Sequence, residues 1–280
     1  MNLSNKIFAY IKITRPLNVA ITFCVVVVAI LISQKYSTKI NLIILASLAA
    51  ATTAAAGNII NDIYDIEADK ISHPQRVLPL GALTKTEVKI EYLILNFVSA
   101  IISINLSQTL FTIVFISSLL LFIYSFYLKK LPLIGNLTVA SLTGLAFIYG
   151  GFVVENPSAA IIPAAFAFLI NLIREIVKDI QDIEGDKKDG TKTFPIKYGI
   201  ESAKRLVTFI IILITAFTFY PFLTHLYKIE YFIIVMIFVN PVFVLCLKNL
   251  LQKKENNFVI ISRLLKMNML IGLISIYFGF

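Results

Sequence analysis

Asp62, Asp65 and Asp69 follow one another at steps of three and four in the stretch Asn58 to Asp69. At 3.6 residues per turn, those steps stack three carboxylates on one helix face. Asp179, Asp182 and Asp186 repeat the spacing 117 residues later, and each triplet ends a long apolar run. Clustered carboxylates repel one another unless cations neutralise them. Oxygen-only donors at this density suit Mg2+ or Mn2+, which keep several waters and take phosphate oxygens as further ligands. Arg76, Lys129, Arg174, Lys178 and Lys192 are all expected on the triplets' side of the topology set out below. Their side chains can hold the phosphate oxygens that the metals leave free.

Metals and cations around a diphosphate would make it a good leaving group by neutralising its charge. The group that departs from it is expected to be lipidic, because the site would open into a bundle lined by Phe, Ile and Leu. An allylic chain suits the design, since its carbocation is delocalised. One acidic loop alone is ordinarily solvated surface. Two with the same spacing, at the same kind of helix end, call for a shared role.

The elements that must position these residues are membrane helices. The chain has 280 residues, is 58% hydrophobic and has a mean hydropathy of +0.86, beyond the range of soluble domains. The apolar runs predict an all-α polytopic protein with nine transmembrane helices. They run from about Pro16 to Ser33, Ile40 to Ile60, Ile90 to Leu106, Thr109 to Leu128 and Leu133 to Val154. Four more run from about Ala159 to Val177, Leu206 to Leu223, Tyr231 to Leu247 and Leu264 to Phe280. The first is long for a signal segment and lacks a small-x-small cleavage site, so it is expected to be retained. Cys24 and Cys246 sit in apolar runs and are expected as buried thiols. His73 and His225 are expected as ordinary loop residues, and aromatic residues near span ends as interface anchors.

Nine spans place the N-terminus and the loops after spans two, four, six and eight on one side. That side carries 22 of the 25 Lys and Arg residues; Lys35, Lys39 and Lys228 are on the other. The positive-inside rule makes it cytoplasmic and puts the C-terminus outside. Both acidic motifs then face the cytoplasm. The net charge of +9 is thereby explained as topology, and nucleic acid is not an expected partner. The chain reads as one membrane domain, 1–280, with duplicated halves of about 1–130 and 131–280 and a site between them. A cation or lipid transporter would need acids at mid-membrane depth, and the spans hold almost none.

At these residues the chain resembles the UbiA superfamily of membrane prenyltransferases. Asn58 to Asp69 is similar to that family's first aspartate-rich motif and Asp179 to Asp186 to its second. Arg15-Pro16-Leu17-Asn18 and Tyr124-Ser125 to Lys129 extend the likeness over nearly the whole chain. Arg76 is followed by Val77, where the family often has Arg-Pro. The resemblance implies nine helices around a cavity open to the membrane, with the two motif loops as a cytoplasmic cap. It also implies Mg2+-dependent transfer of a prenyl group from its diphosphate. Asp62, Asp65 and Asp69 would hold one metal and Asp179, Asp182 and Asp186 another. Asn58, Arg76, Lys129, Lys178 and Lys192 would bind diphosphate oxygens, and Asn61 would support the first metal.

Within the family, Arg174 to Asp186 with Lys192-Thr193-Phe194-Pro195 is most similar to one group of members. Those transfer a geranylgeranyl group to the hydroxyl of geranylgeranylglyceryl phosphate in ether lipid synthesis. Members that prenylate an aromatic quinone precursor such as 4-hydroxybenzoate are the alternative. Arg15 is the candidate there for the acceptor's carboxylate.

Overall fold

The computed structural model describes residues 3–188, 190–252 and 257–280. Asp189, Lys253, Lys254 and Glu255, which enter the charge distribution above, lie outside them. The described residues form helices, turns and no strands. Ahead of the first expected span lies helix α1 (Leu3–Ile13). Ala9 and Ile13 are buried there, while Ile7, Phe8 and Ile11 remain exposed.

Helix α2 (Pro16–Ser33) opens with proline at its first position, where the missing N–H costs nothing. Helix α3 (Ile40–Tyr64) is Ala-rich and ends in the first motif. The short α4 (Ile66–Ser72) follows, then α5 (Lys85–Leu106) and α6 (Gln108–Phe126). A 3-10 turn at Leu128–Lys130 leads to α7 (Ile134–Val153). Helix α8 (Ile161–Gln181) ends in the second motif and is followed by the short α9 (Ile183–Lys188) and α10 (Phe194–Tyr198). The last part comprises α11 (Ile200–Phe217), α12 (Tyr220–Leu223), α13 (Ile229–Ile234), α14 (Asn240–Leu251) and α15 (Asn257–Gly279).

Eight stretches among the described residues are long and apolar enough to cross a membrane. They correspond to the expected spans apart from the third. That one is α5, a helix of 22 residues whose first two turns carry Lys85, Glu87, Lys89 and Glu91. A capping box fixes its start: Glu87 N–H donates to Thr84 Oγ1 while Thr84 N–H donates to Glu87. The eighth expected span is one apolar stretch that changes helix type, with a π turn at Val235–Val239 between α13 and α14. Pro241, at the start of α14, lacks the N–H that a regular ladder would use there.

The motif helices form the centre of the bundle. In α3 and α8, 56% and 61% of the spanning stretch is buried, against 17–39% in the other six. Alanines in α3 let neighbours come close. Gly150 does the same for α7 and α2, since a Cβ there would lie 3.1 Å from the carbonyl oxygen of Val26 and on top of the Ala29 methyl. The largest apolar core gathers α8, α11, α13, α14 and α15 around Ile173, Ile176, Ile211, Tyr231, Phe243 and Ile261. Cys246 is buried as expected, but Cys24 lies on the exposed side of α2. In a membrane bundle an apolar run has an outer face as well as an inner one, so hydrophobicity does not predict which side a thiol takes.

Candidate functional site

Both motifs are built the same way, and not as a single helix face. Helix α3 runs through Asp62 and ends on Asp65, whose backbone sits at φ −95° and ψ 5°. Helix α8 runs through Asp179 and ends on Asp182, at φ −98° and ψ 8°. The next residue, Ile66 or Ile183, starts a short second helix that carries the third aspartate. The backbone bonds also match: Asp65 N–H donates to Asn61 O and Asp182 N–H to Lys178 O, both at 2.9 Å. Asp69 N–H then donates to Asp65 O at 2.7 Å and Asp186 N–H to Asp182 O at 2.9 Å. The expectation of three stacked acids is corrected accordingly. The middle aspartate is the joint, and its bridge-region backbone turns the third carboxylate onto a separate helix.

The two short helices touch. A Cβ on Gly185 of α9 would run into Ser72 Oγ and lie 3.1 Å from the carbonyl oxygen of Ala68, both on α4. His73, just past α4, reaches across with Nε2 at 3.2 Å from Asp182 Oδ1. This corrects its reading as an ordinary loop residue: it joins the first motif's segment to the second motif's middle aspartate. His225 sits in a turn after α12 at φ 55°.

Each carboxylate of the first motif faces a cation. Arg15 pairs with Asp62, Lys129 with Asp65, and Arg76 with Asp69 at 2.5 Å, with a longer approach of Arg76 to Asp62 at 3.8 Å. Asn61 Nδ2 donates to Asp65 at 2.7 Å. Arg15, at φ 56° between α1 and α2, is held to the motif through Asp62. Asn58 donates to the carbonyl of Thr14 at 2.8 Å and so fixes the entry of α2 against α3.

The second motif is held differently. Asn136 on α7 donates to Asp179 at 2.8 Å, a partner that sequence spacing could not have indicated from 43 residues away. One turn before Asp179, the buried Glu175 accepts from both Arg174 and Lys178 at 2.9 Å. Lys192 is exposed; its backbone N–H donates to Lys130 O at 3.2 Å, tying the segment before α10 to the turn that carries Lys129.

Burial and pairing pull the acids in opposite directions. Burial keeps the Asp69 carboxyl above its usual value, although Arg76 works against it. Burial would raise Asp182 too, but the bond from His73, with the charges of His73 and Lys178, brings it below the usual range. Among the described residues no three acidic, His or Cys side chains converge on one point, since the first-motif carboxylates are turned to Arg and Lys. The donor set nevertheless fits a hard divalent cation. It is all oxygen, and Asp69 Oδ2 and Asn61 Oδ1 are buried with no hydrogen-bond partner among the described residues.

Behind the motifs lies a cavity of about 260 Å³. Arg15, Asn58, Asn61, Arg174, Glu175 and Lys178 line its polar part, and Ile21, Val25, Ile113, Leu121 and Leu142 its apolar part. Asn18 and Lys266 also line it, joined at 2.6 Å between α2 and α15. Lys266 went unnoticed in the sequence, because it lies 80 residues beyond Asp186 inside an apolar helix. A smaller apolar cavity of about 50 Å³ shares Ile21, Val25, Thr143 and Met269 with the first.

Comparison with known proteins agrees with this geometry. The chain is 37% identical over 274 residues to the digeranylgeranylglyceryl phosphate synthase of Methanosphaera stadtmanae, covering 96% of this chain and 98% of that one. It is 35% identical to the protein of the same name from Methanobrevibacter smithii, covering 96% and 97%. A solved structure of a digeranylgeranylglyceryl phosphate synthase superposes with a TM-score of 0.77 at 31% identity over 98% of both chains. The fold is also that of a UbiA homolog from Archaeoglobus fulgidus solved with DMAPP and Mg2+, with a TM-score of 0.66 at 18% identity over 95% of this chain and 98% of that one. The model of the UbiA prenyltransferase family matches residues 21–268, and with the paired helix breaks and the cavity between them, this multi-pass membrane protein belongs to the UbiA prenyltransferase family.

Proposed function

We propose that the chain transfers a geranylgeranyl group from geranylgeranyl diphosphate to the hydroxyl of geranylgeranylglyceryl phosphate, the reaction its similar relatives are named for. One observation carries the reading. Two matched aspartate-bearing helix breaks stand over one cavity whose walls change from charged to apolar.

In this reading Asp62, Asp65 and Asp69 hold one Mg2+ and Asp179, Asp182 and Asp186 a second; Mn2+ meets the same oxygen donors. The bound ions would neutralise the charge that develops on the diphosphate as it leaves. Arg15, Arg76 and Lys129, now paired with first-motif carboxylates, bind diphosphate oxygens, with Asn58 and Asn61 fixing the backbone and carboxylates around them. Lys192 adds positive charge from the second side. The prenyl chain lies along the apolar wall of Ile21, Val25, Ile113 and Leu121. That wall keeps water from the allylic cation, so the acceptor hydroxyl is the oxygen that attacks. The C–O bond to diphosphate breaks, an ether bond forms, and a proton is released.

For topology, we propose nine spans with α5 among them. Its residues Ile90, Leu93, Ile94, Phe97, Ile101 and Ile104 point outward along one stripe, as a lipid-facing helix requires. The N-terminus and both motifs are then cytoplasmic, and the C-terminus is outside.

The test is to incubate purified protein with labelled geranylgeranyl diphosphate, Mg2+ and a panel of acceptors, and to identify the product. Transfer to geranylgeranylglyceryl phosphate is expected. Transfer to 4-hydroxybenzoate instead would replace this reading with the quinone-precursor one.

A further inference from the structure

The two walls of the cavity are not charged alike. On the first-motif side every cation has its own carboxylate: Arg15, which lines the cavity, with Asp62, and beyond the lining Lys129 with Asp65 and Arg76 with Asp69. On the opposite wall Arg174 and Lys178 share Glu175. Lys266, entering from α15, meets the neutral amide oxygen of Asn18 at 2.6 Å. Three cations therefore stand beside one paired carboxylate, all lining the same cavity. The side chains are largely enclosed, at 19% exposure for Arg174, 29% for Lys178 and 8% for Glu175. Surplus positive charge in such a place is costly unless an anion completes it. A phosphate monoester carries about −1.5 to −2 near neutral pH, which matches the surplus. The Asn18 amide presents Lys266 to the cavity without neutralising it.

We propose that Lys266, with Arg174 and Lys178, binds the phosphate of the acceptor lipid, while the donor diphosphate takes the aspartate end. This rests on the acceptor assigned above and names the residue that selects for its charge. Lys266 comes from the last helix and from outside both motifs, so donor and acceptor are read by different parts of the chain. The arrangement keeps the acceptor's phosphate off the metal-binding carboxylates, where it would compete with the diphosphate.

The experiment measures binding as well as turnover. Affinities for geranylgeranylglyceryl phosphate, for geranylgeranylglycerol without its phosphate, and for geranylgeranyl diphosphate are measured calorimetrically on wild type, Lys266→Gln and Lys266→Arg. Wild type is expected to favour the phosphorylated acceptor. Lys266→Gln should lose about 10-fold or more of that preference, the scale of one charged hydrogen bond. Affinity for the donor should stay unchanged, and Lys266→Arg should retain the preference. Equal weakening of both acceptors, weakening of the donor, or a wild type without preference would overturn the proposal. Wild type that binds the phosphorylated lipid selectively but does not prenylate it would overturn the acceptor reaction and leave the phosphate site standing.

Discussion

At the scale of single residues, the first motif is a set of ion pairs, while the second is held by Asn136 and His73. The middle aspartates end the motif helices and face Lys129 and His73, so removing their charge should remove ligands and leave the fold intact. Asp65→Asn and Asp182→Asn are each expected to lower prenyl transfer by about 100-fold or more at unchanged thermal stability. Full activity in both variants would dismiss the motifs as the site. Asn136→Ala acts one step back, by freeing Asp179 to turn. Loss of a bond that orients a ligand typically costs about 10–100-fold in metal affinity. The expected signature is a raised Mg2+ requirement, with activity recovered at saturating Mg2+. The aspartates were legible in the sequence because their spacing is local. Asn136, His73 and Lys266 were not, because each reaches its partner across the tertiary structure from another element.

At the scale of elements, the sequence pattern located the helices well and their ends less well. Apolar runs mark where a chain crosses a membrane, but the motif helices continue past the apolar run to the middle aspartate, on hydrogen bonds that hydropathy cannot see. The break itself was missed because three-and-four spacing is also what an unbroken helix would show. The entry to α5 is a test of local capping. Thr84→Ala removes the acceptor for Glu87 N–H and should cost about 1 kcal/mol, read as a lower melting temperature in detergent micelles. A melting temperature equal to wild type would mean that α5 is fixed by packing alone.

At the scale of the whole molecule, the proposed topology is open to labelling. A single cysteine placed at either end, in a chain with Cys24 and Cys246 replaced, should react with an impermeant thiol reagent on opposite faces of oriented vesicles. Reaction of both ends on one face would remove α5, or another helix, from the spanning set. The close approach of Gly185 to Ser72 has a consequence for how the two halves fill. With so little space between α4 and α9, ordering one short helix restricts the other, so occupancy of one motif lowers the entropy still to be lost at its counterpart. If each motif takes a cation, as proposed, the two loadings would be linked equilibria, each favouring the other to the same degree. Activity in the native chain should rise with Mg2+ more steeply than a single-site curve, and Gly185→Val, which wedges the helices apart, should flatten it.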